Sequence, residues 1–234
     1  MTEIPTPGPL RIHSTTINHC NWLLNHAANS ARQCEVFDDL PDGESEPKQK
    51  SALTSILFSV AAMEAFINEL AHDCQQKINN GNDSEELRNF TWALRNAEDS
   101  NATTKYKFEL AHLISAGEPP LRDRNPFADF FILFGLRNDI MHVKRPSTIV
   151  MDDDSLSTPI PRRVSTLIDR GLTRKMPDGY RTFWLVHLMT HRVAWWACNT
   201  AANICVHIAS LVPHEGLSAS FINTIQSSLQ DEVG

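Results

Sequence analysis

The sequence has few of the residues and patterns that mark β structure. Only two of its 234 residues are Tyr, and alternating runs of β-branched residues are scarce. It contains no internal repeat, no Gly-rich loop of the kind that cradles phosphate, and no G-x-S-x-G nucleophile turn. These absences argue against β-rich folds, P-loop enzymes and serine hydrolases, and an all-α fold is the prediction that follows.

Cysteine is also sparse. The chain has five Cys, an odd number without any C-x-x-C pair, so neither a disulfide framework nor a zinc ribbon is predicted. The first residues lack the charged and then apolar pattern of a secretion signal. We therefore expect a cytoplasmic protein with reduced thiols.

The chain has fewer basic than acidic residues, 21 Lys and Arg against 28 Asp and Glu, and its formal net charge is −7. This balance argues against a protein that coats nucleic acid by bulk electrostatics, but a local basic cleft can still engage one or two phosphates. A stretch late in the chain is rich in basic residues: Lys144, Arg145, Arg162, Arg163, Arg170, Arg174, Lys175 and Arg181. The alternative interpretation of such a stretch is a solvated face.

Helical periodicity accounts for most of the chain. Apolar stripes and capping residues predict helices at about 12–37, 47–79, 82–96, 105–116, 125–142, 164–170, 181–212 and 217–229. We expect one domain over 1–234, with its core in 12–142 and 181–212. Residues 143–180 are the least regular stretch and are predicted to form an insertion before the last long helix.

The most informative stretch runs from Asn125 to Pro146. It begins with a predicted N-cap and then carries a stripe of Phe residues, which leads directly into Arg137, Asn138 and His142. An Arg offers a fixed fork of donors to a phosphate, and a His can move a proton near neutral pH. The alternative is that Arg137 pairs with a core carboxylate and that His142 is a helix C-terminal residue favoured by the dipole.

A carboxylate also falls on the apolar stripe of the second predicted helix. Glu64 lies between Val60 and Ile67 in this stripe, and Asn68 follows one turn later. Because a charge on a buried face must be paired, Glu64 needs a partner from another helix. Arg137 is the candidate that the sequence offers.

Two segments together resemble the HEPN domain family. The run 137–142, Arg-Asn-Asp-Ile-Met-His, is similar to its R-x4-H motif, and the run 59–70 is similar to its second helix, with small residues, an inward Glu and a following Asn. The resemblance implies a helical bundle and a metal-independent endoribonuclease without a cofactor, in many members a toxin or an antiviral effector. It also implies a homodimer whose active site is shared by two copies of the motif.

The same resemblance assigns roles to individual residues. Arg137 would bind the scissile phosphate, His142 would act as general base or acid, and Asn138 would orient His142 or the phosphate. Glu64 would hold Arg137 in place, and Asn68, one turn on, would support the site beside it. Lys144 and Arg145, which follow the motif directly, are expected to bind the RNA substrate.

The last long predicted helix is apolar enough to raise the question of a membrane span. Polar residues at multiples of four positions argue against a span, and they form a seam: His187, His191, Asn199, Asn203 and His207, with Trp195 at the remaining step. His187 and His191 have the spacing of a metal pair, but Leu188 stands where H-E-x-x-H has Glu, so no metal is predicted. We expect the seam to face solvent or a subunit.

Two other functions compete with the ribonuclease. One is a catalytically silent HEPN-like module that binds a nucleotide or a partner protein. The other is a structural helical domain in which Arg137 and Glu64 form a bridge. The intact combination of Arg, polar residue and His favours the enzyme, because a structural bridge has no need of His142. The toxin role that the resemblance implies would bring a further partner, an antitoxin or another regulator.

Overall fold

The computed structural model describes residues 19–35, 46–81, 84–142, 160–173 and 184–230, and within these ranges there is no β-strand. The helices are α1 (His19–Glu35), α2 (Glu46–Asn79), α3 (Glu85–Asp99), α4 (Thr104–Ala116), α5 (Phe127–Met141), α6 (Arg162–Asp169), a 3₁₀ helix (Trp184–Leu188), α7 (His191–Ser210) and α8 (Glu215–Gln230). The predicted all-α fold is confirmed.

Local signals set several of the helix ends. The side chains of Ser84 and Thr103 cap α3 and α4 by accepting hydrogen bonds from the backbone N–H groups of Leu87 and Tyr106. Gly117 ends α4 with φ at 76°, a conformation that side-chain-bearing residues rarely adopt. These ends agree with the predicted helices to within a few residues.

The start of α1 is capped by a residue from another helix. The Glu69 carboxylate, on α2, accepts a hydrogen bond from the His19 backbone N–H at 2.7 Å and weaker ones from the Cys20 N–H. Burial is the main cause of the raised pKa of Glu69. The negative charge on α2 satisfies the free N–H groups at the N-terminus of α1 and joins the two helices.

Helix α2 is the central element of the packing. It contacts α1, α3, α4, α5 and α7, while α7 also packs against α1, α5 and α8. A single cluster of buried apolar side chains contains residues of all eight α-helices. Its largest fully buried members are Phe66, Phe90, Phe108 and Phe130. Because this face of α2 is buried, Glu64 lies at the margin of the cluster and is half-buried.

The predicted continuous helix over 181–212 is wrong. The 3₁₀ helix ends at Leu188, and α7 begins only at His191, with Thr190 as its N-cap. The Thr190 hydroxyl accepts a hydrogen bond from the Val193 N–H at 3.2 Å and donates one to the Leu172 carbonyl at 3.0 Å. The bond to Leu172 joins two segments that are distant in sequence, and it fixes the break between the 3₁₀ helix and α7. Because apolar periodicity reports only on neighbouring residues, the sequence did not indicate this break.

Helix α6, within the predicted insertion, packs antiparallel to α5. Arg163, in the first turn of α6, donates to Asp139 near the end of α5 at 3.0 Å. Arg170, just after α6, donates to Asp129 in the first turn of α5. Two ion pairs at opposite ends therefore align the helices.

The apolar face of α6 anchors it in the protein. Val164 and Leu167 are completely buried and belong to the central apolar cluster. This part of the predicted insertion is therefore part of the packed core.

One helix of the described residues, Ser51–Asn79 within α2, is long and apolar enough by composition to cross a membrane. Half of that apolar window is buried inside the fold.

Candidate active site

The candidate site stands at the C-terminal end of α5, and the phenylalanine stripe places it there. Phe127, Phe130 and Phe134 are buried, and their rings contact one another edge to face at centroid distances of 5.9 and 5.0 Å. This packing holds the first two turns of α5 in the core. The helix starts after Pro126, one residue later than predicted, and the Asn125 side chain accepts a hydrogen bond from the Asp129 N–H at 3.3 Å.

The last turns of α5 leave the core, and the three motif residues follow that path. Arg137 is half-buried, whereas Asn138 and His142 are exposed. The Arg137 guanidinium donates to the Asn138 side-chain oxygen at 3.1 Å. His142 is the C-cap of α5, and its backbone N–H donates to the Asn138 carbonyl at 2.9 Å. Asn138 thus contacts Arg137 through its side chain and His142 through its backbone.

The expected ion pair between Glu64 and Arg137 is absent from the described part of the chain. Glu64 lies at the edge of the buried face of α2, which passes through Val60, Met63 and Ile67, so it is half-buried and still in contact with water. A carboxylate that remains hydrated needs no cation from α5. The guanidinium of Arg137 therefore has donors available for an external anion.

Asn68 has a partner on another helix. Its side-chain oxygen accepts a hydrogen bond from the ammonium of Lys107, on α4, at 2.9 Å. Lys107 is buried, so this contact satisfies a charge that would otherwise lose its hydration without compensation. The structure assigns Asn68 to the junction of α2 and α4. Lys144 and Arg145 lie outside the described residues.

Three cations that were not predicted as site residues lie along the same side of α5. The guanidinium of Arg163 crosses directly over Gly135, where an added Cβ would lie 1.8 Å from its Nε. Lys105 and Arg122 lie over the ring of Phe131 at 5.9 and 5.1 Å from its centroid. A glycine inside an otherwise strong helix was the only sequence signal of this close approach.

The polar seam of α7 is partly as expected. Asn199 and Asn203 are exposed, and His207 is half-buried. His187, by contrast, is 8% exposed and belongs to the 3₁₀ helix, so it does not continue the seam and does not share a helical face with His191.

A pair of histidines joins α4 to α7. The rings of His112 and His207 stack at 5.2 Å, with His112 Nδ1 and His207 Nε2 3.0 Å apart. Burial lowers the pKa of both imidazoles, and the charge of His112 lowers that of His207 further. The ring of Phe127 makes T-shaped contacts with both imidazoles.

Three cavities formed by the described residues lie away from the motif. A cleft of about 730 Å³ opens between α2 and α3, and two grooves of about 360 and 420 Å³ follow α7. Arg137, Asn138 and His142 line none of these three. Among the described residues, the exposed side chains of Asn138 and His142 and the half-buried Arg137 leave the motif accessible to a second macromolecule.

Comparisons of this chain with models of protein families, with curated proteins and with solved structures find no match.

Proposed function

We propose that the protein is a metal-independent endoribonuclease in which Arg137, Asn138 and His142 act on the RNA backbone. The observation that supports this most strongly is the combination of exposure and pairing at the end of α5. The Arg137 guanidinium is bonded to a neutral amide, with no carboxylate paired to it among the described residues, and the imidazole beyond it faces solvent. A cation without an internal counter-ion is suited to an external phosphate.

The chemistry that this arrangement offers is internal transesterification. His142 takes the proton of the ribose 2′-OH, the 2′ oxygen bonds to phosphorus, and the bond to the 5′ oxygen breaks. The leaving oxygen takes a proton from a second, protonated imidazole. Arg137 stabilises the extra negative charge on the phosphate oxygens, and Asn138 holds the guanidinium in position. The products are a 2′,3′-cyclic phosphate and a 5′-hydroxyl.

The need for two imidazoles leads to the homodimer. One chain presents one Arg137–His142 set, which supplies one of the two proton transfers, so a second copy of the chain completes the reaction. Met141, 56% exposed beside His142, offers apolar surface for that contact. If the site is shared, specific activity falls when the protein is diluted until the dimer dissociates, as measured by light scattering on the same samples.

The substrate class is tested with RNA and DNA of one sequence in the presence of EDTA. Cleavage of RNA alone, with 2′,3′-cyclic phosphate ends, is the expected result because the nucleophile is the substrate's own 2′-OH. Cleavage of the DNA strand or 3′-hydroxyl products would contradict the mechanism. A silent binding module would bind RNA and leave it intact.

The resemblance to the HEPN family also supports a biological role as a toxin or antiviral effector. Under that proposal, expression of the active chain slows growth of the producing cell, and a small neighbouring protein that acts as antitoxin relieves the effect. An active chain that is tolerated at high level without any partner argues against this role, while leaving the chemistry unaffected.

A further inference from the structure

One side of α5 connects the motif to a group of cations. Phe131, Gly135, Asn138 and His142 are spaced by four, three and four residues, so they share a face of the helix. With a rise of 1.5 Å per residue, this face extends over roughly 16 Å. Its far end, at Phe131 and Gly135, is where the side chains of α4, α6 and the preceding loop approach.

Lys105, Arg122 and Arg163 cover that far end, and we call them the cationic track. Arg122 is bonded to Glu109 at 2.6 Å, and Arg163 to Asp139 at 3.0 Å.

Lys105 is different from the other two members of the track. Within the described part of the chain it has no carboxylate at ion-pair distance, and its ammonium lies over the rings of Phe131 and Phe134 at 5.9 and 5.8 Å. The track therefore carries one positive charge that no bonded carboxylate offsets, held in place by two aromatic faces.

The position of Lys105 is unfavourable for stability. It stands in the first turn of α4, where the helix dipole disfavours a cation, and it is half-buried. Burial, and then the charge of Arg163, lower its pKa. The helix dipole and burial both disfavour the charged form, and the two aromatic faces offset only part of that cost. A charge that is retained against the local electrostatics is characteristic of functional sites.

We propose that the cationic track binds the phosphate backbone of a single RNA strand and directs it along α5 towards Arg137 and His142. The inference rests on the proposed ribonuclease function, and it makes Lys105 the principal phosphate-binding residue of the cationic track. The ligand is the sugar–phosphate chain, because the described members of the track are cations placed over the half-buried ring of Phe131. Since the chain has a net charge of −7, binding of an RNA strand depends on such local basic surfaces.

The test measures binding separately from cleavage. Fluorescence anisotropy with a short labelled single-stranded RNA is recorded in the full-length His142→Ala background, which keeps the RNA intact. Lys105→Gln is compared with Lys77→Gln, a lysine in the last turn of α2. Lys105→Gln is expected to weaken binding about tenfold and to reduce the salt slope of log K by about 0.7. Lys77→Gln is expected to change neither the RNA affinity nor the salt slope, and Lys105→Arg is expected to keep both at the parent's values.

Melting of the same proteins provides a second measurement. Lys105→Gln is expected to melt close to the temperature of the parent, because it removes both an unfavourably placed charge and the cation–π contacts of that charge. Lys105→Met, which keeps the apolar stem on the two rings, must bind RNA as weakly as Lys105→Gln. Equal RNA affinity and equal salt slope for Lys105→Gln and Lys77→Gln would overturn the inference.

The outcomes separate this inference from the proposed function. A chain that cleaves RNA with unchanged KM after Lys105→Gln contradicts the track and leaves the ribonuclease standing. A chain that binds RNA through Lys105 but never cuts it supports the track and contradicts the ribonuclease. Absence of any RNA binding by the parent protein contradicts both.

Discussion

The hydroxyl of Thr190 provides a sharp test of how the helical layers are joined. It is 7% exposed and makes two hydrogen bonds, one that caps α7 at the Val193 N–H and one to the Leu172 carbonyl, which follows α6. Thr190→Val keeps the shape of the side chain and removes only the hydroxyl. Both backbone groups then lose their partner in a region closed to solvent.

The expected cost is the sum of two effects. Loss of a helix N-cap costs about 1 kcal/mol, and loss of a hydrogen bond to a carbonyl in a partly buried site costs about 1 kcal/mol more. We therefore expect the free energy of unfolding to fall by about 2 kcal/mol, which for a chain of this size lowers Tm by roughly 6 °C.

Thr103→Val is the matched control, because Thr103 caps α4 from an exposed position. Within the described residues its hydroxyl makes one hydrogen bond, which it accepts from the Tyr106 N–H. Urea denaturation followed by circular dichroism compares the two variants under identical conditions. Thr190→Val must cost about 1 kcal/mol more than Thr103→Val. Equal costs would show that the bond to Leu172 contributes nothing and that another contact causes the break before α7.

Two further predictions concern α5 and the histidine pair. Gly135→Ala displaces the end of the Arg163 side chain, and the loss of its surface ion pair costs about 0.5 kcal/mol. Because Ala is a better helix former than Gly, the same change contributes about 1 kcal/mol of stability. The free energy of unfolding in urea therefore stays close to that of the parent, and a large loss would mean that the backbone has moved. His112 and His207 have folded-state pKa values below the usual 6.5, so the folded chain binds fewer protons than the unfolded chain. Their contribution to stability is therefore complete above pH 6.5 and is lost as the pH falls towards the lowered pKa values. In this pH range the free energy of unfolding of His112→Asn must depend less on pH than that of the parent. An identical pH dependence would contradict the lowered pKa values.

The helices were predictable because their signals are local. The stripe Cys20, Leu24, Ala27 and Ala31 on α1 is buried as its spacing predicts. Gly81, which follows α2, has φ at 91°, the left-handed conformation expected of a residue past a helix end. Periodicity and capping chemistry are contained within a few neighbouring residues, so one sequence is enough to locate them.

The contacts between helices were not predictable in the same way. Periodicity placed Glu64 on the apolar side of α2, but the exact rotation of the helix against its neighbours leaves it half-exposed and unpaired with Arg137. The cations over α5 come from three separate segments of the chain. Only the packing of α4 and α6 against α5 brings Lys105 and Arg163 to the face that carries His142.

The measurement that tests the central claim most directly is the rate constant for RNA cleavage in EDTA by the parent protein and by His142→Ala. His72→Ala, which changes an exposed histidine on α2, is the control. We predict that His142→Ala lowers the rate by about 10²–10⁴, the usual contribution of a general acid or base, with unchanged melting, and that His72→Ala has no effect. An unchanged rate in His142→Ala, or parent cleavage that EDTA abolishes, would contradict the account.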